Sequence, residues 1–209
     1  MKIVVTRSAA RAEPLATRLE ALGHEVVRCP LIRIDPLGDD PVDPEGYDWV
    51  VVTSPNGAAE LARRLVGTPR RIAAIGRGTA DALREHGLEA DLVPSIATQE
   101  GLLAELPAGR VLLVAAEGAR RLLVEERNAD FAAVYRTVEL RPDTPPDGDL
   151  ALLASASAAR AFAATGARIP VIAIGPQTAA AARELGLEVA AVAESHDVEG
   201  LLDVVRFLT

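Results

Sequence analysis

The chain has a single lysine. Of its 22 basic residues among 209, only Lys2 is lysine and every other one is arginine. A Walker-type phosphate loop needs its lysine, so none is present, and no internal lysine is left for a Schiff base. Cysteine is as scarce. Cys29 stands alone, which excludes a disulfide frame and a thiolate metal cluster. His24, His86 and His196 lie far apart with no carboxylate at ligand spacing. They read as surface histidines, and no metal site is expected. Aromatic residues make up 3 % of the chain, so its cores must rest on Ala, Val, Leu and Ile, within an apolar content of 49 %. The net charge of −8 argues against non-specific nucleic-acid binding, which needs a basic surface. No apolar run approaches the length of a membrane span, and the N-terminus enters a strand with no signal-peptide pattern. A cytoplasmic monomer with no nucleic-acid or membrane partner is expected.

What the chain does have is a sentence written twice. Residues 172–187 read IAIGPQTAAAARELGL, a short apolar strand broken by Gly175 and Pro176 and then an alanine-rich helix that ends at Gly186. Thr178 reads as the cap that opens this helix, since Thr is a favoured N-cap and Ala the best helix former. Residues 73–88 read AAIGRGTADALREHGL, so Gly76 answers Gly175 and Thr79 answers Thr178 at an offset of 99 residues. QEGLL (99–103) answers VEGLL (198–202) at the same offset. VVVTSPNGAAEL (50–61) answers ALLASASAARAF (151–162), and KIVV (2–5) answers RVLL (110–113). Two copies at so long a period point to two homologous domains rather than a solenoid.

Strands are expected at 3–6, 25–28, 49–52, 71–75, 89–93 and 111–114, with their second copies downstream. Helices are expected at 9–22, 79–86, 98–106, 118–127 and about 198–207. Pro14 falls near a first turn, where it is tolerated. Ser54 can cap a helix with Pro55 at its first position. Strands alternating with helices imply parallel sheets with right-handed crossovers. The blocks run A, B, A, B. The first B joins the second A through only three turn residues, whereas each A reaches its B through a long proline-containing stretch. The economical grouping is nested: 1–32 with 143–209 as one domain, and 39–134 as the other. Residues 33–38 and 135–142 then cross between domains, and their apolar–polar alternation suits a two-stranded ladder.

Open α/β sheets bind ligands outside the carboxyl ends of their strands. The residues expected there are Arg7 and Ser8, Ser54, Gly76 and Thr79, Ser155, Ala156 and Ser157, and Gly175 and Thr178. If the two crevices face each other, they line one cleft rich in hydroxyls and helix N-termini and poor in acid–base side chains. Such a lining suits a polyanion held by backbone N–H groups. Each feature also has a plain structural reading. The serines and threonines serve as caps, the glycines form turns, Arg7 makes a surface ion pair, and Tyr135 packs. Gly76-Arg77-Gly78 lacks the third glycine of a dinucleotide site. No serine sits in a nucleophile elbow, and no acidic pocket of a receiver domain ends the first strand.

Taken together, these motifs resemble uroporphyrinogen-III synthase in order and spacing. The resemblance runs from VVTRSAARAEPLATRLEALGHEVVRCPLIRI through VVTSPNGAAEL, IAAIGRGTADALREHGLEADLVP, QEGLL and VYRT to IAIGPQTAAAARELGLEVAAVAESHDVEGLL. It implies an α/β fold of two flavodoxin-like parallel-sheet domains joined by a two-stranded ladder. It also implies a cofactor-free lyase that acts on hydroxymethylbilane, a linear tetrapyrrole bearing acetate and propionate groups. Tyr135 in VYRT is then the candidate proton donor. Thr79, Ser155 and Thr178 match positions that line the site, and Arg7 is an optional carboxylate clamp. Ala115 stands where the first half has Arg7, so an arginine role on that side falls to Arg120 or Arg121 or is absent. The competing reading is a non-catalytic two-domain protein that closes on an anionic small molecule.

Overall fold

The structure is a computed structural model that describes residues 1–208. β1 (Lys2–Val5), α1 (Ala9–Ala21), β2 (Glu25–Arg28) and β3 (Ile32–Pro36) come first. β4 (Trp49–Val52), α2 (Pro55–Arg64), β5 (Ile72–Ala74), α3 (Arg77–Glu85) and α4 (Gln99–Glu105) follow. Then come β6 (Val111–Ala116), α5 (Leu122–Arg127), β7 (Asp130–Glu139), β8 (Leu150–Leu153) and α6 (Ala156–Ala163). The chain ends with β9 (Val171–Ala173), α7 (Pro176–Glu184), β10 (Val189–Val192) and α8 (Val198–Phe207). It divides into two compact units: Met1–Arg33 with Val138–Thr209, and Ile34–Thr137.

The first unit carries a five-stranded sheet in the order β10-β9-β8-β1-β2, with parallel pairing throughout. Counted along the unit's own chain this is the doubly wound order 2-1-3-4-5. Its strands are apolar on both faces because helices cover both. Ile3, Val5, Leu150 and Leu152 pack on α1 and α8 through Leu15, Leu19, Leu201 and Val205. The alternate residues Val4, Ala151 and Leu153 pack on α6 and α7 through Ala158, Phe162 and Ala182. Alanine on these helices brings them close to the sheet, which is how a core with few aromatics is filled.

The second unit carries a sheet in the order β3-β7-β6-β4-β5. The pairs β4 with β5, β4 with β6, and β6 with β7 are parallel. Within it, β7-β6-β4-β5 repeats the 2-1-3-4 order of the first unit, because block A here follows block B in the chain. Val50, Val52, Leu112 and Val114 face α2 and α3. Trp49, Val51, Val111 and Leu113 face α4 and α5.

Several local expectations are corrected. The strand expected at 89–93 shrinks to one bridge between Ala73 and Leu92. Asp91 explains this. Its carboxylate accepts the Ile72 N–H at 2.7 Å, whereas in the first unit the matching Val171 N–H goes to the Glu188 carbonyl at 2.8 Å. A side chain takes the acceptor place that a ladder carbonyl would fill. The helix expected from residue 118 starts only at Leu122. Pro14 lies in the second turn of α1, not the first; it sits on the exposed face, where water can reach the carbonyl that it leaves unbonded. His24 is buried at 9 % exposure. Thr79 and Thr178 are not caps. Gly76 and Gly175 cap α3 and α7, and each threonine is the third helical residue. Both caps thus lie three residues before the threonine, with Arg77 at the first position of α3 and Pro176, which suits it, at that of α7.

The repeated glycine of QEGLL and VEGLL has a steric reason. Thr98 caps α4 by accepting the Gly101 N–H at 3.1 Å, and Asp197 caps α8 by accepting the Gly200 N–H at 2.9 Å. This draws the helix start onto the preceding turn. A methyl on Gly101 would stand 2.0 Å from the Ile96 carbonyl oxygen, and one on Gly200 would stand 2.1 Å from that of Ser195. Backbone atoms cannot yield cheaply. Gly200→Ala is expected to destabilise by about 1–3 kcal/mol, read as a lowered melting transition in calorimetry. Gly118→Ala, whose added methyl meets nothing within 4 Å, should stay within about 0.5 kcal/mol of the parent.

Candidate functional site

In each sheet the strand order reverses once, and the crossovers on either side leave on opposite faces. Ligand crevices in such sheets form at that point, outside the carboxyl ends. In the second unit the reversal lies between β4 and β6, bordered by Ser54–Asn56 and by the turn after Ala116. In the first unit it lies between β1 and β8, bordered by Thr6–Ser8 and by Ser155–Ser157.

Tyr135 comes to the second unit's crevice by a break in strand alternation. Along β7, Phe131 faces the α4–α5 core while Ala132 and Val134 face the α2–α3 core. Strict alternation would return Tyr135 to the α4–α5 side. The register with β6 shifts instead, from Ala115 opposite Ala133 to Ala116 opposite Tyr135, so Val134 is an extra residue. This bulge places Tyr135 in the α2–α3 core, at 6 % exposure. Its hydroxyl lies 2.9 Å from Ser54 Oγ, although the two residues are 81 apart in the chain. Ser54 caps α2 and accepts the Gly57 N–H at 2.9 Å. The Tyr135 carbonyl accepts the Glu117 N–H at 2.8 Å, which anchors the strand beside the crevice. Burial pushes the Tyr135 phenol above the usual tyrosine range, and hydrogen bonds with Ser54 and Asn56 pull the other way. The phenol is therefore protonated at neutral pH.

Arg7 and Ser8 follow β1 in the first unit. Among the described residues, no carboxylate lies within ion-pair distance of Arg7. Burial, with Arg11 nearby, pushes its guanidinium down to about 10, still charged at neutral pH. Ser8 precedes α1, and its carbonyl accepts the N–H groups of Arg11 and Ala12 at 2.9 Å each. Ser155 caps α6 by accepting the Ala158 N–H at 3.1 Å, and Ala156 is the first residue of that helix. Ser157 Oγ accepts from Arg160 at 3.0 Å. Gly175 and Gly76 stand at the starts of α7 and α3, with Thr178 and Thr79 buried one turn inside. All these residues lie at the carboxyl edge of their own sheet.

Two residues at these edges escaped the sequence reading. Thr6 is fully buried, and its hydroxyl donates to the Leu152 carbonyl at 2.7 Å, tying β1 to β8 at the reversal point. A hydroxyl closing an apolar strand was the available signal. His196 packs its ring against Gly175, where a methyl would lie 3.1 Å from Cδ2. Its partner in the other copy is Ala97, so comparing the copies position by position would have marked it. Arg120 and Arg121 are engaged within the second unit, Arg120 with Glu100 and Arg121 over the Phe131 ring at 4.3 Å. Among the described residues, no cluster of three or more His, Cys, Asp or Glu is placed to hold a metal ion, and no helix is long and apolar enough to cross a membrane.

Comparison with known proteins gives these edges a context. Residues 13–203 match the family model described as uroporphyrinogen-III synthase HemD. The chain is 26 % identical to the uroporphyrinogen-III synthase of Synechococcus elongatus, over 96 % of this chain and 92 % of that protein. It is 26 % identical to the uroporphyrinogen-III synthase of Chlorobaculum parvum, over 93 % and 94 %. Its fold resembles a crystal structure of a mutant uroporphyrinogen III synthase from Thermus thermophilus, with a TM-score of 0.63 at 20 % identity, covering 100 % of this chain and 98 % of the other. With a family match across nearly its whole length and parallel-sheet units to carry it, the chain belongs to the uroporphyrinogen-III synthase family.

Proposed function

We propose that this protein is a cyclising hydro-lyase that converts hydroxymethylbilane to uroporphyrinogen III, with loss of water and inversion of the last pyrrole ring. The observation that carries the reading is the buried Tyr135 hydroxyl, held by the Ser54 cap at the carboxyl edge of its sheet. A hydroxymethyl group on an electron-rich pyrrole needs little push to leave. The ring nitrogen supplies the electrons, the C–O bond breaks, and its electron pair goes to oxygen. Tyr135 donates the proton that turns this oxygen into water. The methylene cation so formed is attacked by the last ring at the carbon that already bears its bridge, forming one carbon–carbon bond. That bridge bond then breaks and re-forms at the ring's free α carbon, which inverts the ring, and loss of the proton from that carbon restores the phenol. A phenol kept protonated by burial suits the acid role, and the remaining demand on the protein is positioning.

The acetate and propionate groups are the handles for that positioning. Helix starts at Ser54, Ser155, Gly76 and Gly175 offer backbone N–H groups to carboxylates, and Ser8, Ala156 and Ser157 border the same edges. Thr79 and Thr178 add hydroxyls inside the first turns. Arg7, charged and without a carboxylate partner among the described residues, is a clamp waiting for an anion. The reading also takes 33–38 and 135–142 as a two-stranded ladder joining nested domains. The Leu37 N–H donating to the Val134 carbonyl at 3.0 Å and the Leu140 N–H donating to the Leu31 carbonyl at 2.8 Å support it.

Isomer analysis tests the activity. Hydroxymethylbilane generated in situ is incubated with the protein, and the product is oxidised and separated by chromatography. Type III uroporphyrin above the no-protein control is expected. Type I alone, from folded protein, would leave a non-catalytic anion-binding protein as the better reading. Tyr135→Phe should lower kcat by about 100-fold with KM little changed, and unchanged turnover would remove Tyr135 from the mechanism. Arg7→Met should raise KM about tenfold. It should leave stability within about 0.5 kcal/mol of the parent, because Arg7 is only half-buried. A melting scan beside the kinetics checks both.

A further inference from the structure

We propose that Ser54 is a positioning residue for Tyr135, presenting its own hydroxyl proton to the Tyr135 oxygen so that the tyrosine proton is free for the substrate. The inference rests on the reading of Tyr135 as proton donor and gives Ser54 a role other than holding carboxylates. A serine hydroxyl has one proton and two lone pairs. One lone pair is taken by the Gly57 N–H at 2.9 Å, and the Tyr135 oxygen lies at 2.9 Å on another side. If Tyr135 donates to Ser54, its proton is spent inside the protein. If Ser54 donates to Tyr135, the phenol proton is not spent on Ser54, and the phenolate left after transfer keeps hydrogen bonds with Ser54 and with its other partner, Asn56.

Three features of the fold build this contact. The extra residue Val134 rotates Tyr135 onto the α2 side of the sheet. Gly57 lets the helix start close tightly on Ser54, since a methyl there would lie 3.1 Å from Ser54 Oγ. Ser54 sits at the head of the ten-residue helix α2, whose dipole favours negative charge beside its first turn. Serine N-cap, helix and tyrosine thus form a chain that stabilises the phenolate only when it appears. In the step, the Tyr135 O–H bond breaks as an O–H bond forms on the departing hydroxyl, and the C–O electron pair leaves with that oxygen as water. The first unit repeats the cap with Ser155, but no tyrosine accompanies it, as the chain's only other tyrosine is Tyr47.

Ser54→Gly separates this role from capping, because glycine at an N-cap costs a helix only a few tenths of a kcal/mol. It is expected to lower kcat about tenfold with KM little changed, while Ser54→Thr recovers most of the loss. In a Tyr47→Phe background Tyr135 is the sole tyrosine, and its ionisation can be followed by phenolate absorbance in the free protein, with circular dichroism reporting the fold. Ser54→Gly should raise that midpoint by about one pH unit. The double variant Ser54→Gly with Tyr135→Phe should be no slower than Tyr135→Phe alone. If Tyr135→Phe is slow but Ser54→Gly has normal turnover and an unmoved midpoint, the inference fails and the proton-donor reading stands. If the two losses multiply in the double variant, Ser54 acts apart from Tyr135 and the inference fails. If Tyr135→Phe turns over normally, the proton-donor reading fails and takes the inference with it.

Discussion

A parallel strand that hands the chain to a helix through a short turn leaves that helix's first N–H groups without partners at the sheet's carboxyl edge. Much of the structure answers this one constraint. Ser54, Thr98, Ser155 and Asp197 each turn a side-chain oxygen back onto the N–H three residues on. Glycines at the starts of α3 and α7 leave their N–H groups open instead. Capped and open starts both lie along the carboxyl edge of their own sheet, so on the proposed reading folding and binding draw on the same backbone groups.

The duplication shows which parts of this edge are general and which are special. Gly101 and Gly200, Thr98 and Asp197, and Ser54 and Ser155 recur because each copy must start the same helix against the same turn. Tyr135, Arg7 and Thr6 do not recur. Tyr135 occupies one unit, while the half-buried Arg7 guanidinium and the hydroxyl that ties β1 to β8 occupy the other. The unrepeated residues add polar groups to those that both copies share, such as buried Thr79 and Thr178. A buried hydroxyl needs a partner, and Tyr135 and Thr6 find theirs in Ser54 and the Leu152 carbonyl.

Ser54 joins the two kinds of residue. As a cap it belongs to the scaffold, and a structural role alone would explain it. Its second contact, with the Tyr135 hydroxyl, depends on a bulge in a strand far along the chain. The helix start holds the serine, the serine meets the phenol, and the phenol is buried by the same core that α2 packs on. A change in the register of β7 would leave the cap intact and break the contact.

The sequence alone determined what is local. Apolar tetrads such as WVVV make buried strands, Ser-Pro starts α2, an alanine run with a closing glycine makes α7, and the repeated phrases show one unit written twice. These signals lie within a few residues of what they specify. The tertiary structure decided the rest. Asp91 takes the Ile72 N–H and dissolves an expected strand, and the caps of α3 and α7 fall at Gly76 and Gly175, three residues before Thr79 and Thr178. Ile96 and Ser195 forbid a side chain on Gly101 and Gly200, and one extra residue turns Tyr135 towards Ser54. Each of these depends on which backbone groups meet across a sheet or a turn. That is set by register and packing between distant segments, and no short stretch of sequence contains it.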